Sequence, residues 1–427
     1  MVGAGIGVLA AVLALALPAP APAASGGPTA AVAGVPGCAI GKLSGPLRGL
    51  VPDRLAKARR EYERSLPDGV PRKRAGDLFA TAVAAYIYGM PTVLFRQTVT
   101  AYPRNVLVGV GRLATPQARA VVAPNVDTLY SVSEVDLSFG PMVIDAPATG
   151  GRYSVIQLLD AYTNAFAYIG SGGARDRAET VVLAPRGWAG PVPAGARVVE
   201  SPTKLVWLLG RTLVDGPDDL QAATGLMSQY ALTPLAARMT GARIPELVVN
   251  ISPPGNTTHM PGGLLFFDAL GEALALDPPP ERDRCALEAF AKAGIGPGMT
   301  PSRAGDPVAS AALAAAFDAG RKLVDRAVRH YRKEGRRRYG GWSFSGPTTG
   351  RFGTGYAYRA IVARAAFGAN VREEALYPQT DADDRGRKLT GRHKYVLEFP
   401  PGKLPPVRAF WSVTLYDAEH FLVENPI

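Results

Sequence analysis

Two stretches place a carboxylate beside a Thr-Leu-Tyr: Asp127 precedes Thr128-Leu129-Tyr130, and Asp417 follows Thr414-Leu415-Tyr416. A carboxylate can take a proton, accept hydrogen bonds or ligate a cation. The Pro124-Asn125 turn delivers Asp127 to the start of a strand, where it is both hydrogen-bonded and reachable. Downstream, "LLDAYTNAF" spaces Asp160, Tyr162 and Asn164 at period two inside an apolar segment. Such groups are costly to bury unless they meet partners or a ligand. Trp207, Leu209 and Arg211 share one strand face by the same count. In Phe410–Asp417, Trp411, Val413 and Leu415 lie on one face and Ser412, Thr414 and Tyr416 on the other. The first face reads as core, and the hydroxyl ladder as facing water or a polar ligand. Asn125, Asp127 and Tyr130 are expected to line a pocket close to Asp160, Tyr162 and Asn164, the two segments pairing through the Gly150-Gly151 turn. The echo at Thr414–Asp417 is expected to be a separate site or plain strand trim. Arg211 and Arg359 are the candidates to hold an anionic group. With Trp411, Thr414 and Tyr416 they complete the candidate ligand-binding set. The same polar residues also fit an ordinary role as turn caps and cross-strand pairs.

The signatures of better-known chemistries are missing. There is no G-x-S-x-G elbow and no Walker loop. "GVGRLA" (Gly109–Ala114) mimics a dinucleotide loop without a surrounding βαβ unit. His259, His330, His393 and His420 are scattered and form no zinc set. "DADDRGRK" (Asp381–Lys388) begins like a calcium loop, but Arg385 and Arg392 stand where oxygen ligands belong, so it reads as a hairpin turn. No cofactor and no metal are therefore expected. The net charge of +11, with a pI near 9.7, favours anionic partners, a small ligand or an envelope polymer. The cations are spread along the chain, and those around Leu323–Tyr331 read as the solvated side of a helix, so no specific nucleic-acid binding is expected.

The elements that must position these groups follow from composition. "IGVLAAVLALAL" (Ile6–Leu17) and then "PAPAPAAS" read as residues 1–24 of a secretory signal peptide cleaved near Ala23 or Ala24, although "MVGAG" lacks the usual Lys or Arg. The mature chain is then secreted or held in the cell envelope, with no further membrane span expected. Residues 25–44 read as a Gly/Ala/Pro linker. Cys38 and Cys285 are the only cysteines and are candidates for a disulfide in an exported chain. Helices are expected over Asp53–Leu66 and Ala75–Phe95, the latter ending or kinking at Pro91. The 48 glycines and 38 prolines argue for many turns and short strands. Strand patterns run to about Arg211, helical patterns fill 217–340, and strands return in "KYVLEFPP" and "RAFWSVTLYD". The resulting division is 45–216, 217–340 and 341–427, a mainly β, α+β fold.

Long stretches carry a family resemblance. "PNVDTLYS", "TGGRYSVIQLLDAYTNAFAYIGS" and "SPTKLVWLLGRT" resemble the bacterial exported family called domain of unknown function 1254. "GWSF", "GTGYAYRAIVARAAFGAN" and the stretch from "EEALYPQTDADDRGRK" to "FWSVTLYDAEHFLVENP" resemble its usual C-terminal partner, domain of unknown function 1214. The resemblance implies an Ig-like β-sandwich, a helical middle region and a jelly-roll-like C-terminal sandwich. Relatives continue past the Asn-Pro near Ile427, so the last sandwich reads as incomplete. The resemblance assigns no role. The readings left open are an exported protein that binds a polar or anionic ligand, an envelope hydrolase using Asp127 or Asp160 with Arg211 or Arg359, and a structural or assembly protein that acts through its sheet edges, possible homo-oligomers included.

Overall fold

The computed structural model describes residues 6–13, 50–117, 123–170, 177–241, 248–249, 260–331, 337–339, 341–417 and 420–424. The chain opens with β1 (Ile6–Leu13), α1 (Leu50–Ser65) and α2 (Arg72–Val99). Next come β2 (Val108–Val110), β3 (Thr128–Asp136), β4 (Met142–Ala146), β5 (Ser154–Asp160), β6 (Ala165–Ile169), β7 (Glu179–Pro185), β8 (Arg197–Ser201) and β9 (Leu205–Leu213). Then follow α3 (Leu220–Met227), β10 (Ala231–Pro234), α4 (Leu235–Met239), β11 (Val248–Val249), α5 (Leu264–Leu276), α6 (Arg284–Ala291) and α7 (Pro307–His330). The last elements are β12 (Arg337–Tyr339), β13 (Trp342–Phe344), α8 (Tyr356–Ala365), β14 (Gln379–Thr380) and β15 (Trp411–Asp417). The fold is α+β, with more residues in helix than in strand.

The N-terminal sandwich is built from two sheets. One has the order β11-β2-β3-β9-β5-β6, the other β10-β4-β7-β8. Period-two alternation decides what lies between them. Leu129, Val135, Ile156, Leu158, Val206 and Leu208 leave the first sheet toward Met142, Ile144, Val181 and Leu183 of the second. β10 pairs with β4, so the sandwich continues past residue 216. Val132, Leu159, Trp207 and Leu209 leave the opposite face of the first sheet and enter a core shared with the helices. The six-stranded sheet is thus the middle layer, covered by strands on one side and helices on the other.

α2 is the axis of the helical layer. Its apolar residues run all round the helix, the pattern of a helix buried on every side, and it packs against α1, α5, α7 and α8. It runs through Pro91 to Val99 rather than ending there. The lost backbone bond and the ring clash are outweighed because Thr92, Val93, Phe95 and Val99 are all buried beyond it. α2 is long and apolar enough to cross a membrane, contrary to the expectation that no further segment would qualify, but 78% of its most apolar window is buried in protein. α7 crosses it closely at Gly320, where a Cβ would lie 2.5 Å from the Tyr86 ring. Asp306 caps α7 by accepting from the N–H groups of Val308 and Ala309, both at 3.1 Å. Cys285, in α6, is disulfide-bonded; Cys38 and the linker 25–44 lie outside the described residues.

The C-terminal strands form one sheet of order β12-β13-β14-β1-β15. Ile6–Leu13, the apolar run of the expected leader, lies antiparallel between β14 and β15. Lys394–Pro401, expected as a strand from its alternation, takes no strand pairing. Asp381–Lys388 is a hairpin-like turn as expected, with Ala382 bridging Lys388 and the Asp383 carboxylate accepting from the N–H groups of Arg385 and Arg387 at 3.0 and 2.8 Å.

Candidate functional site

The "LLDAYTNAF" residues are not period-two strand residues. β5 ends at Asp160 and β6 begins at Ala165, and the residues between make the hairpin turn, with Thr163 at φ 63°. The Asp160 carboxylate accepts from the N–H groups of Tyr162 and Asn164 at 2.9 and 2.8 Å, and from the Asn164 side chain at 3.2 and 3.1 Å. Burial pushes Asp160 up to about 6, against the pull of the Asn164 and Tyr162 hydrogen bonds and the Arg359 charge. Asn164 Oδ1 accepts from the Phe352 N–H at 3.1 Å, tying the turn to the C-terminal part. Tyr162 donates to the Asp277 carbonyl at 2.7 Å.

Arg359 lies just behind this turn, fully buried in α8. It donates to the Tyr88 carbonyl at 2.7 Å. Its guanidinium sits over the rings of Tyr88, Tyr356 and Tyr162 at 4.9, 5.5 and 5.6 Å. Tyr88 and Tyr356 donate in turn to Asp283 at 2.9 and 2.6 Å. This cage ties the helices to the sheet.

Asn125, Asp127 and Tyr130 lie at the other end of the sheet. Asn125 Oδ1 accepts from the Asp127 N–H at 2.6 Å and from Thr128 Oγ1 at 3.3 Å, an Asx turn that launches β3. β9 stands between β3 and β5. Thr128 is level with Leu213, beside the start of β5, whereas Asp160 pairs with Val206 at its far end. The length of β5 separates them by about 20 Å, so the single pocket expected from both segments does not form. The Gly150-Gly151 turn instead carries the chain from β4 in one sheet to β5 in the other.

The two Thr-Leu-Tyr stretches, expected apart, meet. Ser412 donates to Asp127 Oδ2 at 2.6 Å, and the Tyr416 hydroxyl donates to the Pro124 carbonyl at 2.8 Å. The hydroxyl face of β15, including buried Thr414, is therefore its inner face, and the face of Trp411 and Val413 is outside. Burial raises the Asp127 carboxyl above its ordinary range, opposed by the Ser412 hydrogen bond.

Between these ends lies a cluster that the sequence only half revealed. Arg211 pairs with Tyr130 on one side and Val155 on the other. Its Nη1 donates to Gln157 Oε1 at 3.0 Å and Asn370 Oδ1 at 3.2 Å, and its Nη2 to the Gly368 carbonyl at 2.9 Å. Its guanidinium lies 5.7 Å from the centre of the Tyr130 ring. All three acceptors are neutral. Burial works against the charge, yet Tyr377, Tyr130, Tyr153 and Tyr168 around it hold Arg211 above its ordinary value. Tyr153 donates to Glu374 at 2.7 Å. Tyr168 accepts from the Val371 N–H at 3.0 Å, and Tyr377 from the Asn370 side chain at 3.2 Å. Burial pushes up the hydroxyls of Tyr153, Tyr168 and Tyr377. Tyr130, Tyr168, Arg211 and Tyr377 all keep partial exposure, so solvent reaches the cluster. Sequence reasoning found Arg211 and Tyr130 and missed Tyr153, Gln157, Tyr168, Asn370, Glu374 and Tyr377. Tyr153 and Gln157 were findable, since they share the Val155 face at period two.

Residues 104–234 match the family model Protein of unknown function (DUF1254). Residues 374–427 match Protein of unknown function (DUF1214). The order is the one the resemblance implies. The DUF1254 segment supplies Asp127, Tyr130, Tyr153, Gln157, Tyr168 and Arg211, and the DUF1214 segment supplies Glu374, Tyr377, Ser412 and Tyr416. The Tyr153–Glu374 and Asp127–Ser412 bonds join the two segments, while Gly368 and Asn370, which accept from Arg211, precede the second. Among solved structures, the VPA0106 protein from Vibrio parahaemolyticus is similar in fold, at 20% identity and a TM-score of 0.50, with 73% of each chain covered. An uncharacterized protein from Burkholderia cenocepacia aligns at 14% identity and a TM-score of 0.23, over 66% of this chain and 59% of that one. A search of the curated proteins returns no match. Among the described residues no group of three or more His, Cys, Asp or Glu is placed to hold a metal ion.

Proposed function

We propose that this protein binds a small anionic ligand at Arg211, where the DUF1254 sheet meets the segment 368–377. One observation carries the reading: among the described residues, the half-buried Arg211 guanidinium is hydrogen-bonded to three neutral oxygens and lies against a tyrosine ring. The Glu374 carboxylate lies one tyrosine away, on Tyr153, and a carboxylate or phosphate oxyanion on the guanidinium itself would gain charge-assisted hydrogen bonds. Tyr130 and Tyr377 add faces and hydroxyls for the body of such a ligand. Asp127 and Ser412 stand about 10 Å along β3 from Tyr130, and they can take donors at the ligand's other end.

Titration calorimetry with inorganic phosphate, sulfate and a series of mono- and dicarboxylates tests this. Saturable binding of at least one anion is expected, weakened about 10- to 100-fold in Arg211→Gln. Failure of every anion to bind, or equal binding by a folded Arg211→Gln, would reject it. An envelope hydrolase is the second reading, favoured by the raised carboxyl of Asp127 and its 2.6 Å bond to Ser412. It requires turnover of a bound ester or amide, abolished in Asp127→Asn.

A further inference from the structure

The apolar run that reads as a secretory leader is also a strand of the finished sheet. Every residue of β15 is level with a partner in β1, from Trp411 with Leu13 to Asp417 with Ile6, with an irregularity at Gly7. On its other side β1 pairs with β14, Leu9 with Thr380 and Ala10 with Gln379. β1 is therefore the strand that joins β15 to the rest of its sheet, in the order β12-β13-β14-β1-β15. Apart from β1, the pairing that β15 makes among the described residues is the Tyr416–Leu422 bridge. β15 is also the strand whose Ser412 and Tyr416 hold the turn at Pro124–Asp127.

The same strand is built to be removed. Between β1 and α1 the sequence carries the small-residue pattern Ala21-Pro22-Ala23, where a leader peptidase would cut, and then the Gly/Ala/Pro stretch 25–44. A tethered strand gains from its high local concentration. A cut in the tether takes that gain away and leaves every hydrogen-bonding group of β14 and β15 in place. The occupant also states what the slot takes: "IGVLAAVL" has no charge and no proline. We propose that the slot between β14 and β15 is a strand acceptor, filled in the whole chain by its own Ile6–Leu13 and, after a cut near Ala23 or Ala24, by an uncharged apolar strand of a partner polypeptide. That strand would run antiparallel to β15 and hydrogen-bond to β15 on one side and β14 on the other. A lipid surface cannot supply those backbone bonds. A second copy of the chain could offer its own Ile6–Leu13, but the same cut removes it.

The test uses the full chain, made with its first residues retained and with a site for a sequence-specific protease inserted after Ala24. A fluorescent synthetic peptide of residues 5–14 is the probe, and the control peptide carries Leu9→Pro and Ala10→Pro. Successive N–H groups of a strand point to opposite neighbours, so the two prolines remove a donor on each side. The cut chain is expected to bind the probe saturably in fluorescence anisotropy, at least about tenfold more tightly than the uncut chain, whose slot is filled by its own strand. The control peptide should not bind. Amide hydrogen exchange over 411–417 should quicken at least about tenfold on cutting and slow again when the probe is added. Any of five results would overturn the proposal: no binding by the cut chain; equal binding by cut and uncut chains; equal binding of the control peptide; exchange over 411–417 that cutting leaves unchanged; or a folded circular dichroism spectrum lost on cutting and not restored by the probe.

Discussion

A single carboxylate shows how burial and hydrogen bonding divide the work at the residue scale. Asp160 folds the β5–β6 turn by accepting four hydrogen bonds, yet it is held up to about 6 by burial. An acid with a raised folded pKa favours folding most below its unfolded value near 4, and that advantage fades as pH rises through about 6. The loss by neutral pH is on the order of 3 kcal/mol. Asp160→Asn keeps an oxygen for the two backbone N–H groups and does not ionise. Its stability relative to the parent should therefore improve from pH 4 to pH 7, on top of a constant offset from the lost Asn164 bond. Urea unfolding at each pH measures this; a gap independent of pH would contradict the burial argument. The conformation of this turn was not legible in the sequence. Period-two spacing in "LLDAYTNAF" mimics a strand, and only the left-handed Thr163 reveals the bend.

At the scale of elements, close helix packing gives a sharper prediction. Gly320 lets α7 approach the Tyr86 ring of α2, and Gly320→Ala would place a methyl within 2.5 Å of that ring. Tyr86 sits in the core against Phe266 and Phe317 and cannot swing away. A loss of about 1–3 kcal/mol is expected, seen as a lower urea midpoint with an unchanged slope. A second prediction concerns the join of β15 to the N-terminal turn. Ser412→Ala strips a hydrogen bond from the half-buried Asp127 carboxylate and should cost about 1–3 kcal/mol. A neutral result would mean that water replaces the hydroxyl. Alternation along β3, β5, β9 and β15 was fully legible, because it is a property of neighbours in sequence. Two things were not: that β9 would insert between β3 and β5, and which face of β15 would be covered. Period two separates faces without saying which one meets protein.

For the whole molecule, one apolar core joins the six-stranded sheet, α2, α5, α7 and α8. The C-terminal segment adds polar ties to the same sheet through Arg211, Gln157 and Tyr153. The three stretches that looked like separate units in sequence should therefore melt together through this shared layer. One calorimetric transition is expected, with the van't Hoff enthalpy matching the measured enthalpy; two resolved transitions would show the join to be weaker than its contacts imply. The Arg211 cluster was only half visible for the same reason. Its β-sheet half follows a local rhythm, and its other half comes from residues more than 150 positions away.

The burial of α2 has a consequence for the chain before it folds. Until α5, α7 and α8 close over it, Arg72–Val99 has the length and hydropathy of a bilayer span, and it opens with Arg72, Lys73 and Arg74. A positive cluster of that kind at one end of an apolar segment is what insertion machinery reads as an orientation signal. Along any route that brings the nascent chain past a membrane, folding of the helical layer and lateral partition into lipid become rival fates. Asp77 and the mid-helix Pro91 then act as brakes on the second, so replacing both with leucine should strand the chain in the membrane fraction, at the cost in the folded protein of the Asp77 ion pairs with Arg59 and Lys73.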